Sequence, residues 1–151
     1  MKKFKFNLQK LLELREAKER EVMNELSALV SRQNVERQKQ ETLQMNLGAE
    51  HSKITQKMRL GNITSDEVLN YARYVVLSEM AIKSTGRSID SYEPSISKVR
   101  VRLINASKEK KVVEKLREKK IEEFNYAMNR EIVKENDDAN QRIYEIRRGA
   151  V

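Results

Sequence analysis

The chain contains no cysteine and no tryptophan, and only one histidine, one proline and four glycines. Without cysteine there is no disulfide framework, no thiolate metal site and no cysteine nucleophile, so the redox compartment is left unconstrained. A lone His51 cannot build a zinc site from imidazoles or a conventional serine–histidine pair. Aromatic residues make up only 5% of the chain, against 36% charged and 38% hydrophobic. A composition dominated by Ala, Glu, Lys, Leu, Arg, Asn and Gln suits long helices with a narrow buried seam better than a thick core. No stretch approaches the roughly 20 apolar residues needed to cross a membrane. The opening Met1-Lys2-Lys3-Phe4-Lys5-Phe6 is basic, but Gln9, Lys10 and Glu13 interrupt any hydrophobic run after it. It does not read as a secretory signal, and the expected location is cytoplasmic, without membrane insertion.

What is present is helical periodicity. An alternating three–four spacing picks out Leu8, Leu12, Arg15, Glu19, Val22, Leu26, Leu29, Gln33, Glu36, Gln40, Leu43, Leu47, Glu50 and Ile54. Eight of these fourteen positions are apolar, which is a coiled-coil seam with a polar middle. The first helix is expected over about 5–59. Gly61 and Asn62 supply a stop, and Thr64 with Glu67 reads as a capping box that starts the next helix at about residue 65. The second seam runs Val68, Tyr71, Val75, Ser78, Ile82, Thr85, Ile89, Tyr92, Ile96, Val99, Leu103, Ala106, Lys110 and Val113. Beyond it the apolar positions drift to Leu116, Phe124, Met128, Ile132, Ala139, Ile143 and Ile146, a stutter in the repeat. This helix is expected to reach about residue 146, with a bend near Pro94 or two helices in line there.

The expected fold is therefore all-α: one coiled-coil unit over 1–151, two long helices in an antiparallel hairpin, the second longer than the first. With so short a turn at 60–64, residue i faces roughly 124 minus i, which sets Leu8 near Leu116 and Leu26 near Val99. The segment after Phe124 then projects past the first helix for roughly 35 Å at 1.5 Å per residue. Its apolar stripe calls for a partner.

Carboxylate pairs such as Glu122-Glu123 and Asp137-Asp138 occur, but catalytic pairs need a concave site that separates their pKa values. They read as solvated helix face, as does His51 beside the seam. Gly48, Gly61, Gly86 and Gly149 are isolated and form no phosphate loop. No enzyme activity, cofactor or metal is expected. The net charge is +8, and its densest cationic segment is residues 108–120, where Lys108, Lys111, Lys115 and Lys119 share one helix face. Arg147-Arg148 adds to it. Such a face attracts nucleic acid, but Glu109, Glu114 and Glu118 are interleaved and no base-reading motif accompanies the charge. The pattern fits a solvated coiled-coil flank or an acidic protein surface better than RNA or DNA. Salt separates these readings, because phosphate-driven binding collapses between low and moderate salt whereas an apolar contact does not.

Two segments resemble a known family. Phe4-x-Phe6-x-Leu8-x-x-Leu11-Leu12-x-Leu14-Arg15 is similar to the opening of FliJ, the small coiled-coil component of the bacterial flagellar type III export apparatus. Ala106-x-Lys108-Glu109-Lys110-Lys111-Val112-x-Glu114-Lys115-Leu116-x-Glu118-Lys119, with Phe124 and Arg130-Glu131-x-x-Lys134-Glu135 after it, resembles the family's other recurrent stretch. The turn at Gly61 followed by Asn70-Tyr71 and Tyr74 also fits. The resemblance implies a stalk like that of rotary ATPases, peripheral at the cytoplasmic face of the inner membrane. It implies binding to the pore of a hexameric export ATPase of the FliI type through Phe4, Phe6, Leu8, Leu11, Arg15, Lys111, Lys115, Leu116, Lys119 and Phe124. It further implies contact with an export gate of the FlhA type through Tyr71, Tyr74, Leu77 and Ala81, and escort of export chaperones. Ser78 departs from the larger apolar residue the family tends to place there. By position alone, Phe4, Leu8 and Leu116 could equally close the hydrophobic end of the pair, and Tyr71 lies on the seam. A generic coiled-coil scaffold, or the equivalent component of a virulence-type secretion system, is the alternative.

Overall fold

A computed structural model describes residues 4–149; Met1–Lys3, part of the amino-terminal reading above, and Ala150–Val151 lie outside the described residues. The chain is all-α among the described residues, with two helices, α1 (Gln9–Arg59) and the longer α2 (Ser65–Gly149). Two compact units are distinguished, residues 4–19 with 105–149, and Arg20–Ile104. Each contains a stretch of both helices.

In Arg20–Ile104 the two stretches run antiparallel, as the cross-helix partners show. Glu25 takes both carboxylate oxygens to Arg102 at 2.9 Å. Gln33 reaches Ile89, Gln40 reaches Ile82, and His51 reaches Tyr71. Val22, Ile89, Ile96 and Val99 form the buried apolar part of this seam, Ile96 being only 1% exposed. Each such side chain contributes roughly 1.5–3 kcal/mol on burial. In the polar middle Gln33 and Gln40 bond across the seam, while Glu36 bonds Lys39 on its own helix. The Gln33 amide donates to the Ile89 carbonyl at 3.3 Å and to Glu93 Oε1 at 2.7 Å. The Gln40 amide donates to the Ile82 carbonyl at 3.2 Å. Gly86 gives the Gln40 amide its room: a Cβ there would lie 3.2 Å from Gln40 Nε2. These directional bonds constrain how the two helices meet more narrowly than apolar contacts would.

The turn follows from two local motifs. Gly61 takes φ +64°, and the Asn62 and Gly61 amides donate to the carbonyls of Lys57 and Met58, both at 3.1 Å, which closes α1 as a Schellman motif. The Thr64 amide donates to Glu67 Oε2 at 3.0 Å while the Glu67 amide donates to Thr64 Oγ1 at 3.3 Å, a reciprocal capping box that opens α2. The Lys57 ammonium also bonds the Glu67 carboxylate. That bond, with the Thr64 amide, holds the Glu67 carboxyl below the ordinary carboxylate range.

Pro94 lies within α2, which runs through it as a single helix. Its neighbours Tyr92 and Ile96 face the seam while Pro94 and Asp90 are exposed. Pro94 leaves the Asp90 carbonyl without its helical donor on the exposed side of α2, away from the seam packing.

In residues 4–19 with 105–149 the partners are again antiparallel: Arg15 bonds Glu109, and Glu19 bonds Ser107 and Lys110. Leu12, Ala106 and Val113 form the buried apolar contacts. α1 opens at Gln9, about a turn later than the spacing suggests. Phe4–Leu8 lie outside the helix, and the Phe4 ring packs edge-on against Phe124 with centroids 5.6 Å apart.

Candidate binding surfaces

In residues 4–19 with 105–149, Phe4, Phe6 and Phe124 are half-buried, as are Leu11 and Arg15. Leu8 and Leu116 remain 39% and 38% exposed. Phe4, Phe6, Leu8 and Leu116, with Lys5, Asn7 and Lys120, line an open cleft of about 350 Å³. The non-helical start of the chain makes this cleft. An i, i+2 pair of phenylalanines cannot share a helical face, but in extended backbone both can reach α2. The result is an apolar hollow with no side chain filling it.

Cations surround it unevenly. Lys110 is drawn inward to Glu19 at 2.7 Å, with Glu114 at 3.7 Å. The hydrogen bond to Lys110, then that from Ser107, holds the Glu19 carboxyl below its ordinary value, and the same bond to Glu19 raises Lys110. Lys120 bonds Glu123 at 2.6 Å and lowers that carboxyl likewise. By contrast Lys108, Lys111, Lys115 and Lys119 are exposed, and among the described residues none makes an ion pair. Arg15 is engaged by Glu109 and is less available than those lysines. The structure thus brings Phe4, Phe6, Leu8, Leu116 and Phe124 together, and sets Lys111, Lys115 and Lys119 on the exposed face of α2.

Arg20–Ile104 places its named residues less uniformly. The Tyr71 hydroxyl is 2.8 Å from His51 Nδ1, and the ring is half-buried. Tyr74 and Ala81 are half-buried, whereas Leu77 is 66% exposed. Ser78 is buried at the seam, so its small size serves helix packing. Leu77 has company that the seam reading missed. Leu69, Val76 and Met80 are each more than half exposed, and Leu69, Ala72, Arg73, Val76 and Leu77 line a shallow apolar groove. The signal was present as a second ridge, Leu69, Arg73, Val76 and Met80, at four–three–four spacing one to two residues past the seam positions.

No described helix is long and apolar enough to cross a membrane, and no cluster of His, Asp or Glu among the described residues is arranged to hold a metal ion. No match was found among curated proteins or among solved structures. The family model described as flagellar FliJ protein matches residues 4–149, nearly the whole chain. With two antiparallel-paired helices, the longer carrying the cationic stretch, the chain belongs to the FliJ family and is a component of the flagellar protein export apparatus.

Proposed function

We propose that this chain is the stalk-like coupling protein of the export apparatus: it binds and activates the hexameric export ATPase and links it to the export gate. The observation that carries this reading is the apolar cleft of Phe4, Phe6, Leu8 and Leu116, backed by Phe124, on the same helix pair as the exposed lysines Lys111, Lys115 and Lys119. An apolar hollow beside exposed lysines suits an acidic, partly apolar socket in another protein. Leu8, Leu116 and the Phe4–Phe124 pair supply the buried contact. Lys111, Lys115 and Lys119 steer the approach and set orientation, with Leu11 and Arg15 supporting the α1 side. The gate contact is assigned to the early α2 face, where Leu77 is the most accessible of Tyr71, Tyr74, Leu77 and Ala81. On this reading the protein works at the cytoplasmic face of the inner membrane, at the flagellar base, without a catalytic residue of its own.

The test is ATP hydrolysis by the cognate export ATPase with and without this protein, and with the Leu8→Asp and Phe124→Asp variants, helicity being checked in parallel. Wild type raises the rate and both variants lose the effect while remaining helical. An unchanged rate at saturating wild-type protein removes the coupling role and leaves a scaffold.

A further inference from the structure

All three phenylalanines of the chain, Phe4, Phe6 and Phe124, meet at one place, and two of them stand on a segment that is not helical. That segment, Phe4–Leu8, is fastened to α1 by little. The Gln9 amide donates to the Phe6 carbonyl at 3.2 Å, and the first helical bond runs from the Leu12 amide to the Leu8 carbonyl at 3.0 Å. Leu8 thus stands at the cap position without a side-chain acceptor, and the first turn of α1 holds no acidic residue. α2 starts in the opposite way, with the reciprocal Thr64–Glu67 box and with Asp66 and Glu67 in its first turn.

What holds the segment down is α2. Lys5, Asn7 and Leu8 are exposed, whereas Phe4 and Phe6 are half-buried. The bond from Arg15 to Glu109 sets Gln9, the first helical residue, level with about residue 115 of α2. Phe124 lies about two and a half turns beyond that level. It is half-buried nonetheless, because the Phe4 ring packs edge-on against it. A segment held by two half-buried rings and the one backbone bond from Gln9 opens far more readily than paired helices do.

Opening has a consequence for the cleft. Of its apolar walls, Phe4, Phe6 and Leu8 come from this segment, and only Leu116 comes from α2. We propose that Phe4–Leu8 is a releasable strap whose docking on α2 makes the cleft, so that the chain offers the cleft to a partner only while the strap is down. A partner that fills the cleft draws the docked form, and its apparent affinity scales with the docked fraction. This rests on the proposed coupling role for the partner's identity, but the strap itself is measured on the isolated chain.

The experiment uses the full chain labelled with 4-fluorophenylalanine, whose three fluorine signals all report on this site. On warming, the Phe4 and Phe6 signals move to the position of an unstructured peptide while helicity is unchanged. Trypsin cleavage after Lys5, followed by mass spectrometry, reports the open fraction. Phe124→Ala leaves the cleaved bond and its neighbours untouched. It speeds that cleavage by about fivefold at matched helicity, as loss of an edge-to-face ring pair implies. Fluorine signals that hold their positions until the helices melt overturn the proposal, and so does a cleavage rate that Phe124→Ala leaves unchanged. Adding the cognate export ATPase slows cleavage after Lys5. Stimulated hydrolysis with cleavage unslowed also overturns the strap, whereas hydrolysis that is not stimulated counts against the coupling role and leaves the isolated-chain results to decide the strap.

Discussion

The two compact units use the same helices differently. In Arg20–Ile104 the seam carries two glutamines, yet each is bonded across it to a backbone carbonyl, and Gly86 leaves space for one of them. Polarity there is satisfied internally. In residues 4–19 with 105–149 the seam begins with Leu12, Ala106 and Val113 but opens into a cleft between Phe4, Phe6, Leu8 and Leu116. Lys111, Lys115 and Lys119 stand exposed on α2 in the same unit. One unit specifies how two helices meet; the other has apolar and cationic groups to spare. Binding capacity in this chain lies in the groups that helix pairing leaves exposed.

The comparison can be broken first by truncation. Ile96→Ala, at the most enclosed position, should cost roughly 2–5 kcal/mol in urea unfolding, while Leu8→Ala and Leu116→Ala should each cost about 1 kcal/mol or less. Equal losses would mean that the cleft residues are core. Next comes polarity. Gln33→Ala removes the donor to Ile89 and Glu93 and should cost about 1–2 kcal/mol. Gln33→Leu should be no less stable than wild type but should loosen register, seen as broadened cysteine cross-linking between positions 36 and 85 after Glu36→Cys/Thr85→Cys substitution. The turn is a smaller effect: Gly61→Ala forces a side chain into left-handed backbone and should cost about 1–2 kcal/mol in thermal unfolding.

The smallest effect is that of pH. Glu19, Glu67 and Glu123 all titrate below their ordinary value of 4.5 in the folded protein, because Lys110, Lys57 and Lys120 respectively bond the ionised form. Folded carboxyl values are depressed, so the stabilisation is complete above the unfolded value and is lost as pH falls through the folded one. Melting temperature should be flat down to about pH 5 and fall below about 4.5, with Glu19→Gln flattening part of the slope. Lys53 and Lys110 are raised, so their contribution holds through neutral pH and fades only in strong alkali.

Much of this was legible in the sequence. Every α1 seam position from Leu12 to Ile54, and every α2 position from Tyr71 to Val113, is buried or half-buried. Gly61, Asn62, Thr64 and Glu67 make the stop and cap their identities announce. Period and capping are local, so one strand of text contains them. The start of α1 at Gln9 was not legible, because Phe4 and Phe6 leave the helix for contacts with α2, far away in sequence. Nor was the path through Pro94, which depends on the proline facing outward. Leu69, Val76 and Met80 were hidden for a different reason: a search for one buried ridge passes over a second, exposed one.

The most direct test sets the two units against each other in one assay: stimulation of the export ATPase by wild type, Leu8→Asp and Leu77→Asp, all at matched helicity. The account predicts that Leu8→Asp abolishes stimulation while Leu77→Asp retains it. Loss with Leu77→Asp and retention with Leu8→Asp would contradict it, and would move the ATPase contact to Arg20–Ile104.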